Sequence, residues 1–266
     1  MIRFLHIPKT AGTSFVRVLQ QQYGPKVFTL RNTHLSGDVN CLRERLEIGE
    51  RINVISGHAP LDIGLPQVDE LECILFLRNP LRRLRSMCQH VWEGKSGNLI
   101  WRYPPEGFDI KKLLRSNEWE INNTATRSIL GLKVSEPLDS EAGSVAFERL
   151  LERDLRIGIT EKYDESLINF GKICGWRRAF IKEKKNVARR HVGRKMKWVA
   201  EHDEVVWETQ VADRVLYELA SAHFSEQVPL SGVQRRGKLR ALLAFFNYFY
   251  SRAFSSQANH MIRNER

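Results

Sequence analysis

Short apolar runs alternate with longer stretches of helical periodicity along most of this chain. The runs predict strands near residues 2–7, 52–56, 72–77 and 156–160. Helical spacing follows the first run from Phe15 to Leu19 and returns between Asp203 and Phe224. Strands that alternate with helices favour parallel pairing, because each helix carries the chain back across the sheet. The pattern therefore predicts an α/β fold with a mainly parallel central sheet flanked by helices.

The turn after the first strand has the features of a phosphate-binding site. The apolar run 2–7 breaks into Pro-Lys-Thr-Ala-Gly-Thr-Ser before the helical pattern begins. A strand, a glycine-containing turn and a helix direct backbone N–H groups and the positive end of the helix dipole at an anion. We expect Gly12 to let the chain approach a ligand, Thr13 or Ser14 to cap the helix, and Lys9 to reach a phosphate oxygen. The segment predicts a P-loop-like phosphate cradle.

This turn differs from the common nucleotide-binding motifs. The motif G-x-x-x-x-G-K-[ST] ends on its lysine, whereas Lys9 stands three residues before Gly12. Residues 94–96 read G-K-S, but Gln89 occupies the place of the first glycine and the preceding pattern is helical. The chain also lacks G-x-G-x-x-G for a dinucleotide.

The segment H-I-P-K-T-A-G-T-S, residues 6–14, resembles the 5′-phosphosulfate-binding loop of sulfotransferases that use 3′-phosphoadenosine 5′-phosphosulfate (PAPS). The closest resemblance is to the branch that includes the heparan sulfate 2-O-sulfotransferases. It implies that PAPS is the co-substrate and that no metal is needed. The donor-binding residues it implies are Lys9, Thr10, Ala11, Gly12, Thr13 and Ser14.

A second segment, F-L-R-N-P-L-R-R-L-R-S, resembles the 3′-phosphate-binding element of the same family. It follows the apolar run 72–77, and Pro80 suits the first turn of the helix that comes next. The resemblance implies that Arg78 and Ser86 bind the 3′-phosphate, and guanidinium and hydroxyl donors suit that group. An ion pair between Arg78 and a surface acid is the alternative interpretation.

His58 follows the third strand in I-N-V-I-S-G-H-A-P, at the sheet edge where open α/β sheets bind ligands. The family resemblance implies that it is the catalytic base, and neutral imidazole suits proton removal near pH 7. Lys9 would then neutralise charge on the leaving group. A structural role for His58 is the alternative. His6 and His34 compete for the role of base, and Glu93 and Glu118 are fallbacks.

Asn123 and Arg127 lie in N-T-A-T-R-S-I-L-G, which resembles N-x-x-T-R-x-L-x-G of this branch except that Ile129 replaces leucine. The two residues either face the acceptor substrate or cap and brace a helix. The loop 93–107 carries Trp101 and Tyr103, which either stack on a sugar or pack against the domain.

Composition narrows the partners. The chain of 266 residues has a net charge of +11, which favours anionic partners, yet it lacks a nucleic-acid recognition motif. The acceptor is expected to carry a hydroxyl and to be a saccharide, with an anionic saccharide as one option. The four cysteines lack C-x-x-C spacing, and no Asp, His and Cys cluster has metal-ligand spacing. Buried free thiols and a first strand that leaves no room for a leader indicate a cytoplasmic enzyme.

Two basic segments complete the organisation. The chain divides into a catalytic domain, 1–234, and a basic aromatic helical tail, 235–266, which either contacts a membrane surface peripherally or docks on protein. The basic run 182–197 is expected to be a solvated or acceptor-facing loop, part of which could touch the donor. The sequence predicts sulfonyl transfer from PAPS to a carbohydrate hydroxyl. The alternatives are a nucleotide-dependent kinase with an atypical loop and a non-catalytic polyanion-binding protein.

Overall fold

A computed structural model describes residues 1–31, 35–97, 99–176 and 196–227. Residues Met1–Phe224 belong to one compact unit, and a second unit begins at Ser225. His34, residues 182–195 of the basic run and the tail 235–266 lie outside the described residues, so their assignments stay predictions. The division between domain and tail at residue 234 is likewise untested.

The described strands form one parallel sheet. In chain order they are β1 (Ile2–Leu5), β2 (Val27–Leu30), β3 (Val54–Gly57), β4 (Cys73–Leu77) and β5 (Arg156–Ile159). Their spatial order is β2-β3-β1-β4-β5, and every pairing is parallel. The predicted α/β class is confirmed. The sequence prediction missed β2, an edge strand of four residues of which only Leu30 is buried.

Ten α-helices connect and cover these strands in the described residues. The first five are α1 (Gly12–Tyr23), α2 (Leu35–Glu47), α3 (Pro66–Asp69), α4 (Pro80–Trp92) and α5 (Ile110–Leu114). The others are α6 (Thr124–Leu130), α7 (Ser140–Glu152), α8 (Tyr163–Ile173), α9 (Ala200–Thr209) and α10 (Val211–Gln227). The helical periodicity predicted over 203–224 is confirmed, and it belongs to two helices, α9 and α10, which meet at Gln210.

Apolar side chains from alternate sheet positions explain the layering. Phe4 and Phe76 project from the central strands into a cluster with Phe15 of α1 and Phe170 of α8. A second cluster joins β2 and β3 to α2, and a third joins α4, α5 and α9. Within the described residues, no helix combines the length and apolar character needed to cross a membrane.

The strand order creates one crevice at the centre of the sheet. The connection after β1 leads towards β2 at one edge, whereas the connection after β4 leads towards β5 at the other. β1 and β4 are neighbours, with Leu5 opposite Leu75. Their following loops therefore diverge from a topological switch point, which is where ligands bind in open parallel sheets. The two sequence segments singled out for phosphate binding follow these two strands.

Candidate active site

The loop between β1 and α1 has an unusual backbone. Lys9 (φ 66°) and Ala11 (φ 69°) both adopt the left-handed conformation, although neither is glycine. This conformation costs roughly 1–2 kcal/mol for each residue with a side chain, so surrounding contacts must hold it. Backbones that alternate between left- and right-handed conformations turn successive N–H groups into one concave anion site.

Contacts from the neighbouring strand ends hold this loop. Arg78 Nη1 donates to the carbonyl of Lys9 at 2.8 Å, and Thr160 Oγ1, after β5, donates to the carbonyl of Thr10 at 3.2 Å. Inside the loop, Thr10 Oγ1 donates to the carbonyl of Ile7 at 2.8 Å. In a trans peptide the next N–H points opposite to the carbonyl. Fixing the two carbonyls therefore turns the amides of Thr10 and Ala11 to the other side, where an anion can bind.

The first turn of α1 is not capped as the sequence predicted. The N-cap residue is Ala11, which has no side-chain acceptor, and neither Thr13 nor Ser14 occupies that position. The cap prediction was wrong because the helix begins at Gly12, before both hydroxyl residues. The Ser14 amide donates to the carbonyl of Ala11 at 3.1 Å, so the amides of Gly12 and Thr13 and the positive end of the helix dipole are what the first turn offers to an external anion.

Gly12 is required by a contact within the protein. A Cβ at this position would lie 1.9 Å from Cδ2 and Nε2 of His6. The predicted reason, close approach of a ligand, is therefore not the one that the structure displays. The His6 ring fills the space against Gly12 and stacks on Phe4, with ring centroids 5.4 Å apart. His6, which follows β1, thus packs against the loop, and burial lowers its pKa to about 3, which leaves it a poorer base than the sequence allowed.

His58 follows β3 and contacts His6 twice. The ring centroids of the two histidines lie 4.5 Å apart, and His58 Nδ1 lies 2.6 Å from the backbone carbonyl of His6. A carbonyl only accepts, so Nδ1 carries the proton and Nε2 keeps its lone pair. Burial lowers the His58 pKa, while the bond to His6 and the charge of Glu120 oppose that shift. The ring is therefore neutral near pH 7 and able to accept a proton at Nε2.

Lys9 lies in an electropositive environment. Burial and the nearby Arg78 lower its pKa to about 8, whereas Glu93 opposes and Lys95 adds to this shift. Glu93 forms an ion pair with Lys95 at the end of α4, so the loop that begins there runs beside Lys9. Glu93 is thus close to the site, but its carboxylate is engaged with Lys95.

Arg78 has donors that the protein leaves unused. It is half-buried, and its Nε is buried with no acceptor among the described residues. Burial lowers its pKa, and Glu161 opposes the shift. Ser86 lies two turns into α4 and is half-buried. The predicted 3′-phosphate ligands thus follow one strand end, and the orphaned Nε fits an acidic ligand.

Asn123 and Arg127 are engaged by the protein itself. Asn123 Oδ1 accepts from the amides of Ala212 and Asp213 at 3.1 and 3.0 Å, which caps the start of α10. Arg127 Nε donates to the carbonyl of Asn122 at 3.1 Å, and its Nη1 donates to the carbonyl of Lys133. These contacts are those of helix-capping and loop-bracing residues. A role towards the acceptor stays a prediction.

Three residues of the site were missed from the sequence. Thr160 braces the loop, the Trp119 ring lies 6.0 Å from the His58 ring, and the charge of Glu120, the next residue, opposes the lowering of the His58 pKa. Thr160 directly follows an apolar strand, a position that could have signalled it. Trp119 and Glu120 sit in an irregular segment with no motif, so only the folded chain brings them to the base.

The loop 93–107 contains no helix or strand among its described residues, as predicted. Its two aromatic residues differ in environment. Tyr103 packs against the cluster of α4, α5 and α9, whereas Trp101 is 86% exposed and does not pack against the domain. Nothing in the fold thus assigns Trp101 to the core.

Comparisons with known proteins add little to this geometry. No protein-family model matches the chain, and no curated protein sequence matches it. Among solved structures, a sulfotransferase from Alicyclobacillus acidocaldarius matches 82% of this chain and 95% of its own, with 13% identity and a TM-score of 0.46. The likeness is too weak to carry a function, so the site itself has to.

Proposed function

We propose that this protein is a PAPS-dependent sulfotransferase that transfers a sulfonyl group to a hydroxyl of a saccharide. One observation carries the proposal. His58 is neutral and has a free lone pair on Nε2, and its ring packs against the ring of His6. The His6 ring in turn contacts Gly12, the first residue of a helix without a side-chain cap. A proton acceptor beside an anion-binding helix is what alcohol activation next to a phosphosulfate requires.

The residues present fit a donor with two separate acidic groups. The amides after Lys9 and the open N-terminus of α1 suit the 5′-phosphosulfate, with Lys9 as counter-ion. Arg78, with its orphaned Nε, and Ser86 suit a 3′-phosphate beside the neighbouring strand. A nucleoside triphosphate would not need this second set of donors.

The reaction needs three events at these residues. His58 Nε2 accepts the proton of the attacking hydroxyl as the new oxygen–sulfur bond forms. The bond between sulfur and the bridging oxygen breaks, and its electron pair stays on the 5′-phosphate of the leaving product. Lys9 and the loop amides stabilise that charge. The remaining contribution is positioning of the hydroxyl in line with the breaking bond.

Calorimetric titration tests the donor site first. Adenosine 3′,5′-bisphosphate (PAP), the product of PAPS, should bind with micromolar affinity, and ATP and AMP should bind at least about tenfold more weakly. Lys9→Ala should abolish most of the binding, since a buried cation is lost from the phosphate site. Equal or tighter binding of ATP would favour the kinase alternative. Failure of PAP to bind would overturn the sulfotransferase proposal.

Transfer of labelled sulfate from PAPS to a panel of glycans tests the chemistry. His58→Asn should lower kcat by roughly 10²–10⁴ while PAP affinity stays unchanged, because only proton transfer is lost. His223→Asn in α10 is the matched control and should behave as wild type. Full activity of the His58 variant would remove His58 as base, and PAP binding without any transfer would favour a polyanion-binding protein.

We place this reaction in the cytoplasm. Cys41, Cys73, Cys88 and Cys174 are all free, and two of them are buried. Unpaired cysteines suit a reducing compartment.

A further inference from the structure

A short irregular segment, residues 117–121, runs beside the proposed base, and buried side chains hydrogen-bond to its backbone carbonyls. Arg83, which is 1% exposed, donates to the carbonyls of Glu120 and Ile121 at 2.8 and 3.1 Å. Thr124 Oγ1 donates to the carbonyl of Trp119 at 2.8 Å. The backbone of this segment is therefore fixed, which gives the side chains of Trp119 and Glu120 defined positions.

Trp119 forms an aromatic wall next to His58. The two ring centroids lie 6.0 Å apart with the ring planes at 64°, and the indole is only half-buried. The indole of Trp119 therefore contacts the ring of His58, the proposed base, and part of the indole surface stays accessible. Flat apolar surfaces of this kind, with a few polar groups beside them, are typical of small-ligand sites. The C–H face of a pyranose ring has the matching shape.

Glu120 gives this wall a negative charge. Its side chain is half-buried, and no ion pair or hydrogen bond with a described residue engages its carboxylate. The charge reaches His58, whose pKa it raises against the effect of burial. The nearby Arg102 is already committed to Glu118, at 2.7 Å. An ionised carboxylate accepts hydrogen bonds from hydroxyl and ammonium groups and repels anions.

We propose that Trp119 and Glu120 form the acceptor subsite, and that it takes a saccharide ring that is uncharged or bears an amino group. The inference rests on the proposed function, because an acceptor hydroxyl at His58 lies next to the Trp119 ring, and Glu120 is the next residue of the same fixed segment. It replaces the anionic saccharide that net charge left as an option. Of the positive groups described near the site, Lys9 and Arg78 belong to the donor loops, Lys95 is paired with Glu93, and Arg102 is paired with Glu118.

Three matched oligosaccharides test the charge preference by direct binding. The probes are β-1,4-linked tetrasaccharides of glucose, of glucosamine and of glucuronic acid, titrated calorimetrically into the full chain with and without saturating PAP. We expect the glucose and glucosamine probes to bind and the glucuronic acid probe to bind at least about tenfold more weakly. Preferred binding of the glucuronic acid probe, or binding of none of the three, would overturn the inference.

Single substitutions then separate the two side chains. Trp119→Ala should weaken the glucose and glucosamine probes roughly tenfold, and Trp119→Phe should restore part of the loss. Glu120→Gln should weaken the glucosamine probe roughly tenfold and the glucose probe much less, because only the charge is lost. Glu152→Gln, which alters an exposed carboxylate, is the control, and Trp101→Ala tests the exposed tryptophan of the loop 93–107 as the competing sugar-stacking residue.

The outcomes distinguish this inference from the function on which it rests. PAP titration should give the same affinity for wild type and both Trp119 and Glu120 variants, which also shows that they are folded. If PAP binds and the oligosaccharide preferences fail, only the subsite is wrong. If PAP does not bind, the function fails, and the titrations without PAP still decide whether the subsite exists. Loss of oligosaccharide binding in Trp101→Ala but not in Trp119→Ala would overturn the assignment to Trp119.

Discussion

At the scale of single residues, His6 connects the loop before α1 to His58, the proposed base. The His6 ring lies against the first residue of α1 on one side and against the His58 ring on the other. Its backbone carbonyl also sets the tautomer of His58. The low pKa of about 3 keeps this ring neutral, so it adds no positive charge beside the base. His6 is a positioning residue, because it acts through His58 and the loop.

We expect Lys9 to make binding of the proposed donor depend on pH. Its pKa of about 8 means that it is protonated at pH 7 and loses its proton above pH 8. A bound phosphate favours the charged form, so binding above pH 8 requires uptake of a proton. We expect PAP affinity to fall by about twofold from pH 7 to 8 and then by up to about tenfold for each further pH unit. Calorimetry at pH 8.5 in two buffers of different ionisation enthalpy measures the uptake directly.

Two lysine substitutions control this experiment. Lys9→Arg should bind PAP with an affinity that no longer changes between pH 7 and 9.5, since guanidinium stays protonated. Lys111→Arg, at an exposed position in α5, should keep the wild-type profile. A flat profile in the wild-type protein would show that Lys9 does not bind the phosphate or is not buried.

At the scale of elements, α6 and α10 cap each other. Asn123, before α6, accepts from the first amides of α10, and Asp213 of α10 accepts from the amides of Ala125 and Thr126 at 3.2 and 2.8 Å. Asp213 also lies 3.7 Å from the buried Arg83. Because Arg83 anchors the segment of Trp119 and Glu120, this pair of helices supports the acceptor side of the site.

Asn123→Ala separates the two interpretations of this residue. The substitution leaves two helix amides without their acceptor and places alanine at φ 43°. We expect a loss of about 2–4 kcal/mol in the free energy of unfolding, measured by urea denaturation, with PAP affinity unchanged. Asn117→Ala, at an exposed neighbour, should cost less than about 0.5 kcal/mol. Unchanged stability together with lost sulfate transfer would instead support an acceptor-side role for Asn123.

Local sequence signals predicted some elements and missed others for physical reasons. β4 is wholly apolar and β1 is apolar except for Arg3, so both were clear, and Pro80 is the first residue of α4 as expected. β2 is a half-exposed edge strand of four residues and has no such pattern. The break between α9 and α10 contains neither glycine nor proline. Gln210 there contacts Arg83 at 3.3 Å across 127 positions, which no local window contains.

In the candidate site, too, local sequence signals predicted some residues and missed others. The loop after β1 and Arg78 were predicted because each lies in a contiguous segment at a strand end. Trp119 and His58 lie far apart in the sequence and meet only in the folded chain, whereas Gly12 and His6 are close in the sequence but meet only because of the conformation of the loop between them. Their roles depend on packing, so composition and spacing along the chain gave no indication of them.

At the scale of the whole molecule, the sheet order places the two proposed anion-binding loops side by side. The chain leaves β1 and β4 in opposite directions, and the hydrogen bond from Arg78 to the carbonyl of Lys9 spans the crevice between them. Arg78 thus has two roles in the proposed site. It braces the loop of Lys9, which would bind the 5′-phosphate, and it offers its other donors to the 3′-phosphate. The ratio of PAP affinity to AMP affinity isolates the second role, because AMP lacks only the 3′-phosphate.

Arg78→Ala should therefore weaken both ligands but PAP more strongly, and reduce the PAP-to-AMP affinity ratio roughly 10- to 100-fold. Ser86→Ala should reduce the same ratio roughly 2- to 10-fold, whereas Lys9→Ala should weaken PAP and AMP equally and leave the ratio unchanged. Arg82→Ala removes the same charge from an exposed position four residues away and should preserve the ratio. Calorimetric titration of both ligands measures these values. A ratio that survives Arg78→Ala would mean that the crevice binds a single acidic group, and that Arg78 serves only to hold the loop of Lys9.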